Sequence, residues 1–242
     1  MSGRKRFFVE KIEYPSTSSV VLEGEEFTHA KVVQRVDTGD EIVLLDGSGR
    51  EYFAIVASVE KKRLIANIVS VADGDKEPKA EIYLLTGALK GDKTELVVQK
   101  ATELGVKKIG VFSSRYCSAY MNDNKIERLN KVAKEAAKQC MRSRAPEIEY
   151  FENLNAALNS CGGYDNKIFA CEFAESSETD LAHLKGSVAL VVGSEGGFSK
   201  EEATLSKELG FSLISLGKRI LRAETACIAL TAITAFSLGE LK

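Results

Sequence analysis

Apolar positions change their spacing near residue 80. Before that point, short apolar runs alternate with turn residues, a pattern typical of β-structure. It predicts strands at 7–9, 41–45, 51–59 and 64–71, one helix within 22–36, and a hairpin turn at 46–49. Residues 72–79 are polar and contain Pro78, so they are the predicted linker. We therefore expect a small β-barrel with one helix over residues 1–73 and a second domain over residues 74–242.

Beyond residue 80, apolar runs of strand length alternate with helical patterns. The predicted strands are 81–85, 107–112, 167–171, 188–192 and 211–216, and the predicted helices are 93–104, 124–141 and a last helix from Ala223. Such alternation predicts an α/β fold with a parallel sheet.

Residues 191–230 contain two loops of ligand-binding character. Gly193–Gly197 follows the apolar run 188–192, and its three glycines and one serine let backbone amides approach a ligand closely. The loop 216–222 follows the last predicted strand, and between the loops Ser199 and Glu202 predict a capping box at a helix start. Both loops lie at carboxyl ends of strands, where ligands of open α/β sheets bind. Spacing alone leaves a plain tight turn equally open, and neither GxGxxG nor a P-loop is present.

Composition narrows the function classes. Hydrophobic residues make up 44% of the 242 residues and charged residues 28%, which is ordinary for a soluble globular enzyme. The net charge of −2 indicates that any RNA surface must be a local basic patch. The five cysteines are scattered and the two histidines lie far apart, so we expect no metal site and no disulfides. With no apolar run of membrane length and no signal-peptide core, a reducing cytoplasm is predicted.

Two motifs carry a resemblance to a known family. GSEGGFSxEE, from Gly193, and LGKRILRAETA, from Leu216 to Ala226, together resemble the SPOUT methyltransferases. More closely, the chain is similar to the family that methylates N3 of a uridine in 16S ribosomal RNA. It departs from the family pattern at Ser194, where proline is usual. The run Lys100–Val106 extends the resemblance, as do Arg115 and the pattern E-A-x-x-Q-x-x-R, matched by Glu135, Gln139 and Arg142.

The resemblance implies a fold, a cofactor and partners. It implies a PUA-like N-terminal domain that helps to grip RNA, and a SPOUT domain whose C-terminal chain forms a trefoil knot. It also implies S-adenosylmethionine (SAM) held in a bent pose between three loops, and a homodimer that shares its active sites. The cofactor-binding residues that it indicates are Glu172, Gly193, Ser194, Glu195, Gly196, Leu216, Gly217, Ile220, Leu221 and Thr225.

The implied reaction requires that uridine N3 lose a proton. Arginine cannot serve as an ordinary base, so Arg222 is expected to stabilise developing charge or to bind phosphate. Glu224 or Glu195 could accept the proton, although Glu224 could instead be a first-turn residue favoured by the helix dipole. Thr225 could cap the helix or bind the cofactor. N3 lies on the Watson–Crick edge, so the target base must be unpaired or flipped out.

Arginines are the predicted RNA contacts, because guanidinium groups suit phosphate oxygens. The predicted residues are Arg4, Arg6, Arg35, Arg50, Arg115 and Arg142. Solvated surface charge is the alternative for each of them. Glu135, Gln139 and Arg142 would form one stripe of the helix at 124–141, facing RNA, a second subunit or solvent. Cys171 is predicted to be a buried structural thiol rather than a nucleophile.

Three functions remain open from the sequence. The first is methylation of a uridine N3 in 16S ribosomal RNA, either as free RNA or within the small ribosomal subunit. The second is methylation of another RNA nucleotide by the same fold. The third is a non-catalytic RNA-binding assembly protein, which would not require SAM.

Overall fold

The computed structural model describes residues 4–174 and 179–241. It divides the chain into two compact units. One contains Met1–Glu77 and Ala137–Ala145, and the other contains Pro78–Ala136 and Pro146–Lys242.

The first unit is built on a mixed β-sheet. Its strands are β1 (Lys5–Phe8), β2 (Ser19–Leu22), β3 (Glu41–Leu45), β4 (Arg50–Val59) and β5 (Leu64–Asp73), in the order β1-β3-β4-β5-β2. β1 runs parallel to β3, and the other pairs are antiparallel. Helix α1 (Gly24–Thr28) continues into a π-helical turn, His29–Val33. The predicted helix within 22–36 and the hairpin at 46–49 are confirmed.

Alternation of side chains explains β4. Tyr52, Ala54 and Val56 are buried at 0–1% exposure, whereas Ile55 between them is 42% exposed. This period of two is that of a strand with one face on a core. β2 was not predicted, because four residues give little periodicity and its partner β5 lies far away in the sequence.

The second sheet is parallel and belongs to the second unit. Its strands are β6 (Ile82–Gly87), β7 (Lys108–Phe112), β8 (Glu147–Phe151), β9 (Asn166–Ala170), β10 (Val188–Val192) and β11 (Ser212–Ile214), in the order β11-β9-β10-β6-β7-β8. All its registered pairs are parallel. The helices along this part of the chain are α2 (Lys93–Glu103), α3 (Asp123–Gln139), α4 (Leu154–Asn159), α5 (Lys200–Glu208) and α6 (Ala223–Ser237), with a 3-10 turn at Leu181–His183. The predicted α/β fold with a parallel sheet is confirmed.

β10 forms the centre of the buried layer. Each of its five residues is at most 4% exposed, as expected for a parallel strand covered on both faces. It pairs with β9 on one side and β6 on the other. Because β11, β9 and β10 are neighbours, the loops after their carboxyl ends meet at one edge of the sheet. This arrangement is what positions the site.

Two helix ends show how local sequence sets the boundaries. Ser199 caps α5, and its side chain and that of Glu202 form the predicted capping box. The helix predicted at 124–141 ends earlier, at Gln139, because Met141 adopts a left-handed conformation with φ of 67°. The predicted stripe is therefore corrected: Arg142 lies beyond the end of α3 and does not continue the helical face of Glu135 and Gln139.

Other boundaries differ from the predicted ones. β5 extends through Asp73, so the first two residues of the predicted linker are still strand. β8 and α4 were not predicted. β8 has partly buried and exposed positions without a clear alternation, and α4 spans fewer than two helical turns.

Candidate active site

The loop after β10 packs tightly against its neighbours. A Cβ atom on Gly196 would lie 2.6 Å from the Cβ of Tyr116, and one on Gly87 would lie 2.5 Å from the backbone N of Ser194. Both positions therefore require glycine. Ser194 is 4% exposed, and its Oγ donates to the carbonyl oxygen of Tyr116 over 3.4 Å. Gly197 closes the loop by donating its N–H to the Ser194 carbonyl over 2.9 Å.

Glu195 is held by the loop that follows β6. Its Oε1 accepts the backbone N–H of Lys90 over 3.1 Å and the Nζ of Lys93 over 3.0 Å. Partial burial alone would raise the pKa of Glu195, but its own backbone amide, Lys93 and the Lys90 amide outweigh burial and lower that pKa. The carboxylate is therefore stabilised in its charged form, which makes it a good anchor and a weak proton acceptor.

The loop after β9 approaches the same point. Cys171 donates its backbone N–H to the Ile214 carbonyl over 3.0 Å. Its side chain is half-buried, and burial raises the pKa of the Cys171 thiol, so the thiol stays protonated at neutral pH. Glu172 Oε2 comes within 3.8 Å of the position that a Cβ on Gly197 would occupy. Residues 175–178 lie outside the described residues.

The loop after β11 is open and basic. Ile220 is 91% exposed, and Lys218, Arg219 and Arg222 are exposed as well. Across residues 4–174 and 179–241, no hydrogen bond or ion pair engages these three cationic side chains. Arg222 precedes α6 and contributes its carbonyl, which accepts the Ala226 N–H over 2.8 Å. The guanidinium group of Arg222 is therefore free to meet a ligand.

These three loops line one cavity of about 670 Å³, a size typical of small-molecule sites. Its wall includes these residues of the predicted site: Glu172, Gly193, Ser194, Glu195, Gly196, Leu216, Gly217, Ile220, Leu221 and Arg222. Backbone amides, two carboxylates and apolar side chains thus converge on one concave surface.

Two predicted residues do not line the cavity. Thr225 is exposed on the first turn of α6. Glu224 is partly buried, and its Oε2 is buried without a hydrogen-bond partner among the described residues. Burial raises the pKa of Cys227 to about 12, and the charge of Glu224 acts in the same direction. In this conformation, Glu224 is therefore associated with the interior of the unit rather than with the cavity.

Sequence reasoning missed several residues of the cavity wall. Lys93, Lys218 and Arg219 line it. Cys171 lines it as well and is half-buried, although it had been predicted to be a buried structural thiol rather than a nucleophile. Lys218 and Arg219 stand inside the second motif, and their position there was the available signal. Lys93 gave no local signal, because it begins a helix and reaches the cavity only through the pairing of β6 with β10.

The predicted RNA-contacting arginines have different surroundings. Arg35 and Arg50 are exposed, and so are Arg4, which pairs with Glu41 over 2.7 Å, and Arg115, which pairs with Glu201 over 3.2 Å. Arg6 is 7% exposed and Arg142 3% exposed; they pair with Glu51 over 2.6 Å and with Glu77 over 3.3 Å. Arg6 also donates to the Arg142 carbonyl over 3.4 Å. These two buried arginines are thus bound to partners within the first unit.

The described residues contain neither a candidate metal site nor a candidate membrane span. Within the described part of the chain, no group of three or more His, Cys, Asp or Glu side chains is placed to hold a metal ion. Over the same residues, no helix is both long enough and apolar enough to cross a membrane.

Family models match both parts of the chain. The model described as an RNA methyltransferase domain matches residues 75–235. The model described as an RNA methyltransferase PUA domain matches residues 22–69. Together these matches include the parallel sheet, the cavity and most of the first unit's sheet.

Named relatives and solved structures agree with those matches. Ribosomal RNA small subunit methyltransferase E of Bacillus subtilis is 32% identical over 95% of this chain and 96% of its own length. A methyltransferase of Legionella pneumophila, solved with the cofactor SAM bound, is 30% identical with a TM-score of 0.87 over 97% of this chain and 98% of the other. A ribosomal RNA small subunit methyltransferase E of Neisseria gonorrhoeae, bound to SAM, is 28% identical with a TM-score of 0.90 over 99% and 100% of the two chains.

Proposed function

This chain belongs to the family of ribosomal RNA small subunit methyltransferase E, and we propose that it transfers the methyl group of SAM to N3 of a uridine in 16S ribosomal RNA. The observation that carries the proposal is the cavity at the carboxyl ends of β11, β9 and β10. Its wall contains the matched motif residues, and the solved relatives named above hold SAM.

The cavity has the chemistry that SAM requires. Leu216 and Leu221 offer apolar surface for an adenine ring, and the loop Gly193–Gly197 offers backbone amides and carbonyls for its polar edges. Glu172 and Glu195 add carboxylates that suit the hydroxyl and cationic groups of SAM. When bound, SAM supplies an activated methyl group on a sulfonium. The protein then needs only to bind and orient SAM and the acceptor and to stabilise the charge that develops.

Arg222 is the side chain best placed to act on the acceptor. For N3 to accept a methyl group it would have to lose its proton, and negative charge would then be spread over N3, O2 and O4 until the N3–C bond replaced the S–C bond. Arg222 lies on the cavity wall, exposed and unpaired among the described residues. A guanidinium group there lowers the energy of that charge. We assign Arg222 this stabilising role.

Two carboxylates are candidates for the base that accepts the N3 proton. Glu195 lines the cavity but is committed to Lys93 and to the Lys90 amide. Glu224 has an unpaired Oε2 among the described residues but does not line the cavity in this conformation. Of the two, we propose Glu224 as the base, because its Oε2 is not engaged by a described residue, whereas Glu195 Oε1 is held by two donors; α6 would have to turn Glu224 towards the acceptor.

The resemblance also supports proposals about context. They are a homodimer, a trefoil knot, cytoplasmic residence, and an acceptor RNA within the small ribosomal subunit. The division into a PUA-like RNA-binding domain at 1–73 and a SPOUT domain at 74–242 stays a prediction, as do the RNA-binding arginines and Thr225 as a cofactor ligand. Exposure supports Arg4, Arg35, Arg50 and Arg115 as phosphate contacts more directly than the buried Arg6 and Arg142.

Methyl transfer tests the proposal directly. Labelled SAM is incubated with the protein and with small subunits or free ribosomal RNA from cells that lack it, and product nucleosides are analysed. We expect 3-methyluridine, and comparison of the acceptors identifies the substrate. Detection of a different methylated nucleoside would support SAM as the cofactor but contradict uridine N3 as the target. Absence of both methyl transfer and calorimetric SAM binding would favour an RNA-binding assembly protein.

A further inference from the structure

The segment 113–120, which follows β7, exposes two aromatic side chains that the proposed chemistry does not use. Tyr116 is 48% exposed and Tyr120 is 73% exposed. Aromatic rings contribute most to stability or binding when they are buried, and tyrosine is enriched at surfaces that bind partners. Two exposed rings on one short segment therefore form a candidate binding surface.

This segment is fastened to the cavity wall. The Tyr116 carbonyl accepts the Ser194 hydroxyl over 3.4 Å, and the close approach of Gly196 places the Tyr116 Cβ against the glycine loop. On its other side, Cys117 Sγ donates to the Ala88 carbonyl over 3.1 Å. Tyr116 is thus held against the glycine loop that borders the cavity.

A cationic side chain contacts the segment at each tyrosine, and Arg115 is also paired with Glu201 over 3.2 Å. The Arg115 guanidinium lies 5.8 Å from the centroid of the Tyr116 ring, and Lys125 Nζ donates to the Tyr120 carbonyl over 2.5 Å. The open basic loop after β11 adds Lys218, Arg219 and Arg222 at the cavity itself. In a chain whose net charge is −2, this local concentration of cations suits a polyanion. Aromatic rings interleaved with cations are typical of surfaces that bind single-stranded nucleic acid.

We propose that Tyr116 and Tyr120 form a stacking surface for unpaired bases of the RNA strand beside the methylated nucleotide. This inference rests on the proposed function, because it takes the RNA acceptor as the occupant. An acceptor whose Watson–Crick edge must be free lies in an unpaired stretch, so its neighbours also present free ring faces. Four residues of chain span at most about 14 Å, so one short strand can reach both tyrosines.

RNA affinity measures this surface without requiring catalysis. The full-length protein and its variants are titrated into a fluorescently labelled, uridine-rich single-stranded RNA of about 16 nucleotides, and binding is followed by anisotropy. We expect Tyr116→Ala and Tyr120→Ala each to weaken binding by roughly 5- to 100-fold, whereas Tyr116→Phe and Tyr120→Phe keep the ring and stay within about twofold. Phe236→Ala is the control, since Phe236 is 58% exposed at the carboxyl end of α6 and is assigned to neither RNA nor SAM.

Salt dependence separates stacking from charge. Loss of a stacked base lowers affinity at every salt concentration, whereas loss of a phosphate contact flattens the slope of log affinity against log salt by about one. The tyrosine variants should therefore keep the wild-type slope, and Arg115→Ala should reduce it.

Several results would overturn the proposal. Unchanged RNA affinity in both alanine variants would do so, and so would an equal loss in Phe236→Ala. If sedimentation showed that Tyr120→Ala halves the mass of the protein, the rings would belong to a subunit contact instead. Calorimetric SAM binding by the wild-type protein is measured in parallel. Its failure would remove the methyltransferase assignment while the RNA titration still decides the stacking surface.

Discussion

The two motif loops border the same cavity but are built in opposite ways. The loop Gly193–Gly197 is enclosed: Ser194 is 4% exposed, Glu195 is anchored twice, and Gly196 has no room for a side chain. The loop 216–222 is open, with Ile220 91% exposed and with no hydrogen bond or ion pair to its cationic side chains from the described residues.

This contrast indicates a division of labour. A loop fixed before binding has already lost its conformational entropy, which favours recognition of a ligand that is common to every reaction cycle. Unpaired cations are costly to bury but readily meet a polyanion. We therefore assign the enclosed loop chiefly to SAM, and the cationic side chains of the open loop chiefly to charge on the RNA acceptor.

The largest expected effect tests the open loop. Arg222→Ala should lower kcat by about 10²- to 10³-fold, because one charge-stabilising donor is removed from the transition state. Single-turnover methyl transfer measures this, with SAM affinity determined separately by calorimetry. Arg128→Ala serves as the control: Arg128 is an exposed arginine of α3 that pairs with Glu95 over 2.8 Å and should leave turnover unchanged. A loss confined to SAM affinity would show that Arg222 binds the cofactor, and it would contradict the assignment of the open loop's cations to the RNA.

A smaller effect tests the enclosed loop. Gly196→Ala places a Cβ 2.6 Å from the Cβ of Tyr116 and 2.8 Å from its carbonyl oxygen, so the loop must shift. We expect SAM binding to weaken by roughly 5- to 150-fold, from about 1–3 kcal/mol of overpacking. Gly163→Ala is the matched control, because nothing lies within 4 Å of its added Cβ. Equal SAM affinity in both variants would show that the loop tolerates movement and is not preformed.

Local pattern was sufficient for most of the second unit. Three features could be predicted because each depends on residues that are close together in the sequence. They are the apolar run at β10, the capping box of Ser199, and the alternation of strands and helices. Met141 shows the limit. Its left-handed conformation ends α3 two residues before the predicted end. The sequence does not indicate this end, because a left-handed φ is unusual for a residue with a long side chain.

Long-range placement was the part of the site that could not be predicted. Lys93 reaches Glu195 only because β6 and β10 are neighbours in the sheet. The return of Ala137–Ala145 to the first unit likewise depends on contacts such as Arg142 with Glu77, which no periodicity encodes. The motif loops could be named from the sequence, whereas the partners that hold them could not.

The smallest expected effect concerns the anchor of the enclosed loop. Glu195→Gln removes an ion pair whose side chains are 28% and 32% exposed, so the loss should be only about 0.2–1 kcal/mol, or up to about fivefold in SAM affinity. Hydrogen exchange of the loop amides without SAM provides a second readout, since a weaker anchor should speed exchange. Lys93→Met should reproduce the effect, and the double variant should add little to either single one, because both remove the same contact.

The lowered pKa of Glu195 predicts how this anchor responds to acid. Its pKa is lower in the folded protein than in the unfolded chain. The stabilisation is therefore fully present above the ordinary carboxyl value of about 4.3, and it is lost as pH falls through the lowered folded value. Denaturant unfolding between pH 3 and 6 should show a shallower loss of stability in Glu195→Gln than in the wild type. Parallel curves would mean that Lys93 and the Lys90 amide do not stabilise the charged carboxylate, and the enclosed loop would then owe its rigidity to packing of Ser194 and Gly196 alone.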